Sequence, residues 1–174
     1  MAAGFRTATR AALIMFGVVA IAFSGLGAAA LDTPAERPIL TVTGNIAVTN
    51  KGSAAVFDRA MLESLGMTSF ETTTPWFSGT VKFEGVRMDK LMETVQAKGQ
   101  RVAVVALNDY SSELPVEDFA KYGVILALKR NDQYMPVSDK GPLFVVYPFD
   151  TNPELKNQKF YSRSVWQVTR IDVK

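Results

Sequence analysis

Four short clusters carry the side chains that could do chemistry. Asn108-Asp109-Tyr110 offers an amide, a carboxylate and a phenol able to orient a polar ligand. Lys140-Gly141-Pro142 sets a point charge beside a residue that lets backbone approach closely, which suits a phosphate. Arg163, between Tyr161 and Trp166, supplies a second cation, and Thr73 and Trp76 with Phe77 supply a hydroxyl and two flat rings for stacking. Each cluster also has a structural reading. Asn and Asp cap loops through backbone N–H groups, and Lys-Gly-Pro makes a tight turn. Tyr110, Trp76 and Phe77 fit a core, and Arg163 can stack on a neighbouring ring. The carboxylates Glu113, Glu117 and Asp118 are too close to a helix start to read as an acid/base pair, since acidic groups there offset the helix dipole. Ser138-Asp139-Lys140 has the composition of a turn.

What the chain lacks is as informative. It has no cysteine and no histidine. Ser-His-Asp and Cys-His nucleophiles and the usual zinc sites are thereby excluded, and no disulfide can staple the fold. Residues 1–30 read as a secretory signal: Arg6 and Arg10 precede an apolar run from Ala11 to Phe23, and Ala28-Ala29-Ala30 suits cleavage before Leu31. The alternative is an uncleaved anchor, because the uncharged run to Leu31 is about long enough to span a bilayer. Of 19 Lys plus Arg, Arg6 and Arg10 fall in this segment, leaving 17 to balance 17 Asp plus Glu. A neutral remainder gives no footprint for nucleic acid. It is long enough for one domain with a sizeable core.

The elements that must position the clusters follow from periodicity. Residues 31–38, with Pro34 and Pro38, read as a linker to a domain over residues 39–174. Ile39 to Ile46 alternates as a strand does, and Asn50 to Ser53 is a turn. Asp58 to Leu65 puts Met61, Leu62 and Leu65 on one helical face, closed by Gly66. Thr68 to Thr74 is a strand ended by Pro75, Gly79 to Phe83 a short strand, and Met88 to Lys98 a helix closed by Gly99. Val102 to Leu107 is a buried strand, and one or two helical turns open after Pro115. Val124 to Leu128 and Tyr134 to Pro136 form a hairpin about Asn131-Asp132, followed by a strand from Leu143 to Tyr147. Phe149 to Phe160 is a polar loop, and Val165 to Val173 a last strand whose imperfect alternation allows a bulge. Many strands with few short helices predict an α+β domain on mixed sheet.

In order and spacing these pieces resemble the molybdopterin-binding oxidoreductase domain of the sulfite-oxidase-like family. Val42-Thr43-Gly44 is similar to its first strand, and Phe83-Glu84-Gly85-Val86 before Leu91 to the step that sets a helix beneath the cofactor. Asn108-Asp109-Tyr110 with Leu114-Pro115 resembles its "D-G-Y … P" loop. Leu126-Ala127-Leu128, Asn131-Asp132 and Gly141-Pro142-Leu143 resemble its hairpin and final strand. The resemblance implies a sulfite-oxidase-like fold and a cofactor cleft near Thr73, Trp76, Asn108, Asp109, Tyr110, Lys140 and Arg163. It also implies a cysteine ligand to molybdenum, where this chain offers Thr72-Thr73-Thr74-Pro75-Trp76. A hydroxyl does not replace a soft thiolate. The family's loop glycine is here Asp109, the arginine after "P-L" is Phe144, Pro-Gly is Pro148-Phe149, and its pterin-cradling histidines have no counterpart.

The expectation is an exported, non-catalytic domain of this fold. It binds a small anionic or pterin-like ligand or a periplasmic protein partner, without nucleic acid, and meets the membrane only if its signal stays uncleaved. The alternative is a molybdopterin-dependent oxidoreductase that keeps its cofactor without a cysteine ligand. A third reading has Trp76 and Phe149 filling the cofactor position.

Overall fold

Leu40 and Val42 are buried while Thr41 and Thr43 are partly exposed, the alternation of a strand with one face on the core. They lie on β1 (Leu40–Gly44) of the computed structural model, which describes Met1 and residues 30–174. The expected signal falls, apart from its two ends, outside the described residues. β1 pairs antiparallel with β2 (Ala55–Phe57) and parallel with β10 (Val168–Val173). With β5 (Arg101–Ala106) and β6 (Ser111–Pro115) they form a five-stranded sheet ordered β2-β1-β10-β5-β6. The bulge allowed by the last strand's pattern is present, as a register shift between Val168 and Arg170.

The second sheet is antiparallel. β3 (Met67–Thr74) pairs with β4 (Phe77–Arg87), and β4 with β7 (Ile125–Arg130). β8 (Gln133–Tyr134) and β9 (Phe144–Val146) both pair with β7. One parallel pair among antiparallel ones, with four short helices, is the expected α+β architecture on mixed sheet. The helices are α1 (Arg59–Ser64), α2 (Met88–Thr94), α3 (Glu117–Tyr122) and α4 (Gln158–Arg163).

Burial explains why β7 reads as an unbroken apolar run. Leu126 and Leu128 join the main core, which takes Leu62, Leu91, Phe119 and Phe160 from the four helices and Val42, Val104 and Ile171 from the first sheet. Ile125 and Ala127 point the other way, into a smaller cluster with Val81, Phe83, Phe144 and Val146. A strand covered on both faces needs apolar side chains at every position. Gly85 of β4 faces this strand at Ala127, where the register shifts. A Cβ on Gly85 would lie 2.1 Å from the Leu126 carbonyl oxygen, so only glycine permits the approach.

Residues 31–38 lie against the domain. Asp58 caps α1 by accepting from the Met61 N–H at 2.9 Å, and its other oxygen accepts from Ala35 and Glu36 at 2.8 and 3.0 Å. These backbone donors, Met61 first, hold its carboxyl below the usual carboxylate range.

Four expected elements differ. The strand at Gly79 to Phe83 extends over all of β4, because β3 pairs along most of its length. The helix expected to reach Lys98 stops at Thr94: Gln96 takes a left-handed φ of 48°, and the Val95 carbonyl accepts from Ala47 and Val48 instead. Ser111 to Pro115, read as loop, is edge strand β6, so Glu113 bonds Arg101 and Lys174 across the sheet surface rather than opening a helix. The loop expected from Phe149 to Phe160 holds a 3₁₀ turn (Pro153–Leu155) and α4, each begun by an asparagine, Asn152 or Asn157, whose side-chain oxygen caps a backbone N–H.

Candidate functional site

Three segments converge at one end of the two sheets. The first is the β3–β4 turn. Pro75 cannot extend β3, and the turn it makes delivers Trp76 between the two sheets. The second is the β5–β6 turn, in which Ala106 accepts from Asp109 at 3.1 Å and Asp109 sits at φ 63°, a conformation its short polar side chain tolerates. The third is α4 and the segment that follows it to Trp166.

Between them lies a cleft of about 400 Å³, lined by Pro75, Trp76, Ala106, Asn108, Tyr110, Gln158, Tyr161, Ser162, Ser164, Val165 and Trp166. Trp76 is its base, half-buried and touching both cores. Its ring meets Phe144, Phe149, Tyr161 and Trp166 edge-on, with centroids 5.5, 6.1, 6.0 and 5.6 Å away. Edge-to-face contacts of this kind favour a fixed geometry beyond simple burial. Of these rings, Trp76, Tyr161 and Trp166 line the cleft. Phe149, which under one reading fills the cofactor position together with Trp76, is buried and packs on Trp76, Tyr147 and Tyr161.

The polar rim comes from the turn and from α4. The Asn108 side-chain oxygen accepts from the Tyr110 N–H at 3.2 Å, and the Tyr110 hydroxyl donates to the Ser162 carbonyl at 3.2 Å, tying turn to helix. Gln158 donates to the Ser162 hydroxyl at 3.2 Å. No Lys, Arg, Asp or Glu lines the cleft.

Of the seven residues expected at the site, Trp76, Asn108 and Tyr110 meet in this cleft. Asp109 turns to a shallow groove on the first sheet with Arg170 and Asp172. Lys140 sits with its ammonium 4.8 Å from the centroid of Trp166 and 5.3 Å from that of Phe77, a cation held on aromatic faces. Arg163 leaves α4 away from the cleft, and its guanidinium donates at 2.6 Å to Asp118 of α3, which also accepts from the buried Tyr147 hydroxyl at 2.9 Å. Burial, and then the Asp118 carboxylate, push the Tyr147 phenol well above the ordinary tyrosine range, so it stays a donor.

Thr73 is held by a different partner. Its N–H and hydroxyl donate to the two oxygens of Asp150 at 2.5 and 2.7 Å, the Asp150 N–H donates back to the Thr72 hydroxyl, and Lys156 pairs with the same carboxylate. Lys156 first, then Thr73, pull the Asp150 carboxyl down to about 2 from 3.8. A folded-state value below the unfolded one means a contribution to stability that is full above about pH 4 and lost as pH falls through about 2. The Thr73 amide proton should accordingly titrate by NMR with a midpoint near 2, and a midpoint near the free-aspartate value of about 4 would contradict this link.

Sequence reasoning missed Gln158, Ser162 and Ser164, because the expected loop from Phe149 to Phe160 ran over the first half of α4 and no helix was expected in the stretch up to Val165. Asn157 followed by Phe160 and Tyr161 was the available signal, a cap and an apolar pair on six residues of helix. Among the described residues no group of three or more carboxylates is placed to hold a metal ion.

The fold and this cleft can be set beside known proteins. A search of curated proteins returns no match. The family model of the oxidoreductase molybdopterin binding domain matches residues 56–151, over half the chain, from β2 through both walls of the Trp76 turn to the Asp150 loop. The mixed-sheet architecture agrees with that match, and the chain belongs to the oxidoreductase molybdopterin-binding domain family.

Proposed function

We propose that this domain is an exported, non-catalytic binding module, a periplasmic sensor or an accessory subunit, whose cleft takes a small ligand. The observation that carries the reading is the donor set around Trp76. Molybdopterin with its metal asks for a soft ligand to molybdenum and for cations at its phosphate. The cleft lining offers amides, hydroxyls and rings, with neither thiolate nor charge. Of the two cations that adjoin lining residues in sequence, Arg163 is committed to Asp118 and Lys159 lies over the Phe160 ring, while Thr73, in the family's cysteine region, is committed to Asp150. These residues do not fit the loaded cofactor, and no redox step is assigned to them.

Export rests on the arrangement of Arg6, Arg10, the apolar run and Ala28-Ala29-Ala30. Cleavage would leave the docked lead of residues 31–38 ahead of the domain at 39–174. The ligand reading is tested by thermal shift of the processed protein against pterin and other flat-ring metabolites. A concentration-dependent rise of about 3 °C or more with at least one of them is expected. A flat response to all of them would sink the small-ligand reading and leave a protein partner as the occupant.

A further inference from the structure

The absence of charge around a cleft walled by rings narrows the class of ligand, resting on the reading just given that the cleft binds a small molecule. Two flat indoles, Trp76 and Trp166, and two phenols, Tyr110 and Tyr161, line one volume of about 400 Å³, a size that suits a bicyclic or tricyclic ring. The groups between them are those that pair with ring amides. Asn108 uses its oxygen on the Tyr110 N–H, so its NH₂ group is left to donate, and the Gln158 oxygen has no partner among the described residues. A phosphate would find no equivalent welcome. The cations adjoining the site are engaged elsewhere, Arg163 by Asp118 at 2.6 Å, Lys140 on the faces of Phe77 and Trp166, and Lys159 over the Phe160 ring at 5.4 Å. Recruiting Arg163 would leave the Asp118 carboxylate, only 7% exposed, without a counter-charge and with the Tyr147 hydroxyl as its remaining partner.

We infer that the cleft binds an uncharged, planar, amide-bearing heterocycle, stacked against Trp76 or Trp166 and edge-bonded by Asn108 and Gln158, and that it does not select for a phosphate on the ligand. Selectivity then comes from ring shape and from the pattern of ring donors and acceptors. Binding should be insensitive to salt, since no ion pair forms.

Riboflavin and its 5′-phosphate make the comparison, because they share the ring and side chain and differ only in the phosphate. Quenching of flavin fluorescence on stacking reports binding. The two should bind within about twofold of each other at low and at high salt. Tyr110→Ala, an exposed position whose loss leaves the core intact, should weaken both by about tenfold, as stripping a stacking or edge contact from a flat ring does. Asn108→Ala should weaken both in parallel, with an unchanged circular dichroism spectrum in each variant. Phosphate-bearing flavin binding tenfold or more tightly, with that advantage lost in high salt or in Lys140→Ala, would overturn the inference while leaving a ligand-binding cleft. Failure of either flavin to quench, together with a flat thermal-shift response to uncharged pterin, would overturn both the inference and the reading beneath it.

Discussion

Asp118→Ala is expected to destabilise the domain by about 3 kcal/mol, a fall in Tm of about 10 °C. The substitution removes the carboxylate that accepts from both the Arg163 guanidinium and the Tyr147 hydroxyl. Arg163 is only 13% exposed and Tyr147 is fully buried, so neither partner can turn to water without moving the helix it packs against. An orphaned buried donor costs its whole desolvation, more than the net gain of making the bond. Asp118→Leu with Arg163→Met and Tyr147→Phe removes every polar group at once and should return most of the loss. A change below about 1 kcal/mol for the single substitution, measured by denaturant unfolding, would show that Arg163 and Tyr147 find other partners. Because Arg163 lies between Ser162 and Ser164 of the cleft wall, the Asp118 contact joins the Tyr122–Phe160 ring pair in tying α4 to α3, and the single variant should weaken ligand binding as well as stability.

Gly85→Ala should be at least as damaging. The added methyl meets backbone on the facing strand, at 2.1 Å from the Leu126 oxygen and 2.5 Å from the Ala127 Cα, and backbone cannot rotate away as a long side chain can. Relief requires β4 and β7 to part at their register shift, which would open the seam between Leu126 on the main core and Ala127 on the smaller one. The expected cost is about 3 kcal/mol or more, read as loss of soluble protein or of cooperative unfolding. Gly79, on the β3–β4 hairpin, is the control: nothing lies within 4 Å of its added Cβ, so Gly79→Ala should cost only about 1 kcal/mol, from its positive φ.

How far the fold was legible can be judged from these same residues. Gly85 stood out in Phe83-Glu84-Gly85-Val86, and the order of motifs was enough to give the fold class. The reason for the glycine, a close pass by Leu126, exists only once two strands distant in sequence are in register. β7 and β9 were legible because burial on both faces demands an unbroken apolar run. β6 was not, because an edge strand carrying Ser111, Ser112 and Glu113 answers to hydrogen bonding with β5 more than to burial. α4 was hidden by Asn, Lys and Pro153, which suggest a loop, although the asparagines turned out to be caps.

The site divides in the same way. Trp76, Asn108 and Tyr110 were placed by local signals, the proline turn and the Asn-Asp-Tyr loop. Arg163 was read by its neighbours Tyr161 and Trp166, yet its partner is Asp118, 45 residues away, and nothing local announces a pairing at that separation. The sequence allows Trp76 either a core or a cleft position, and it holds both, meeting four rings edge-on while lining the cleft.

On the reading proposed above, this member of a molybdopterin-binding family keeps the fold and the cleft without the means to hold the metal. It is decided by the molybdenum content, read by inductively coupled plasma mass spectrometry, of the full chain with residues 1–30 retained, expressed in a molybdenum-replete host that makes and inserts the cofactor. Molybdenum far below one atom per chain is expected. Near-stoichiometric molybdenum would contradict it and return the domain to redox chemistry.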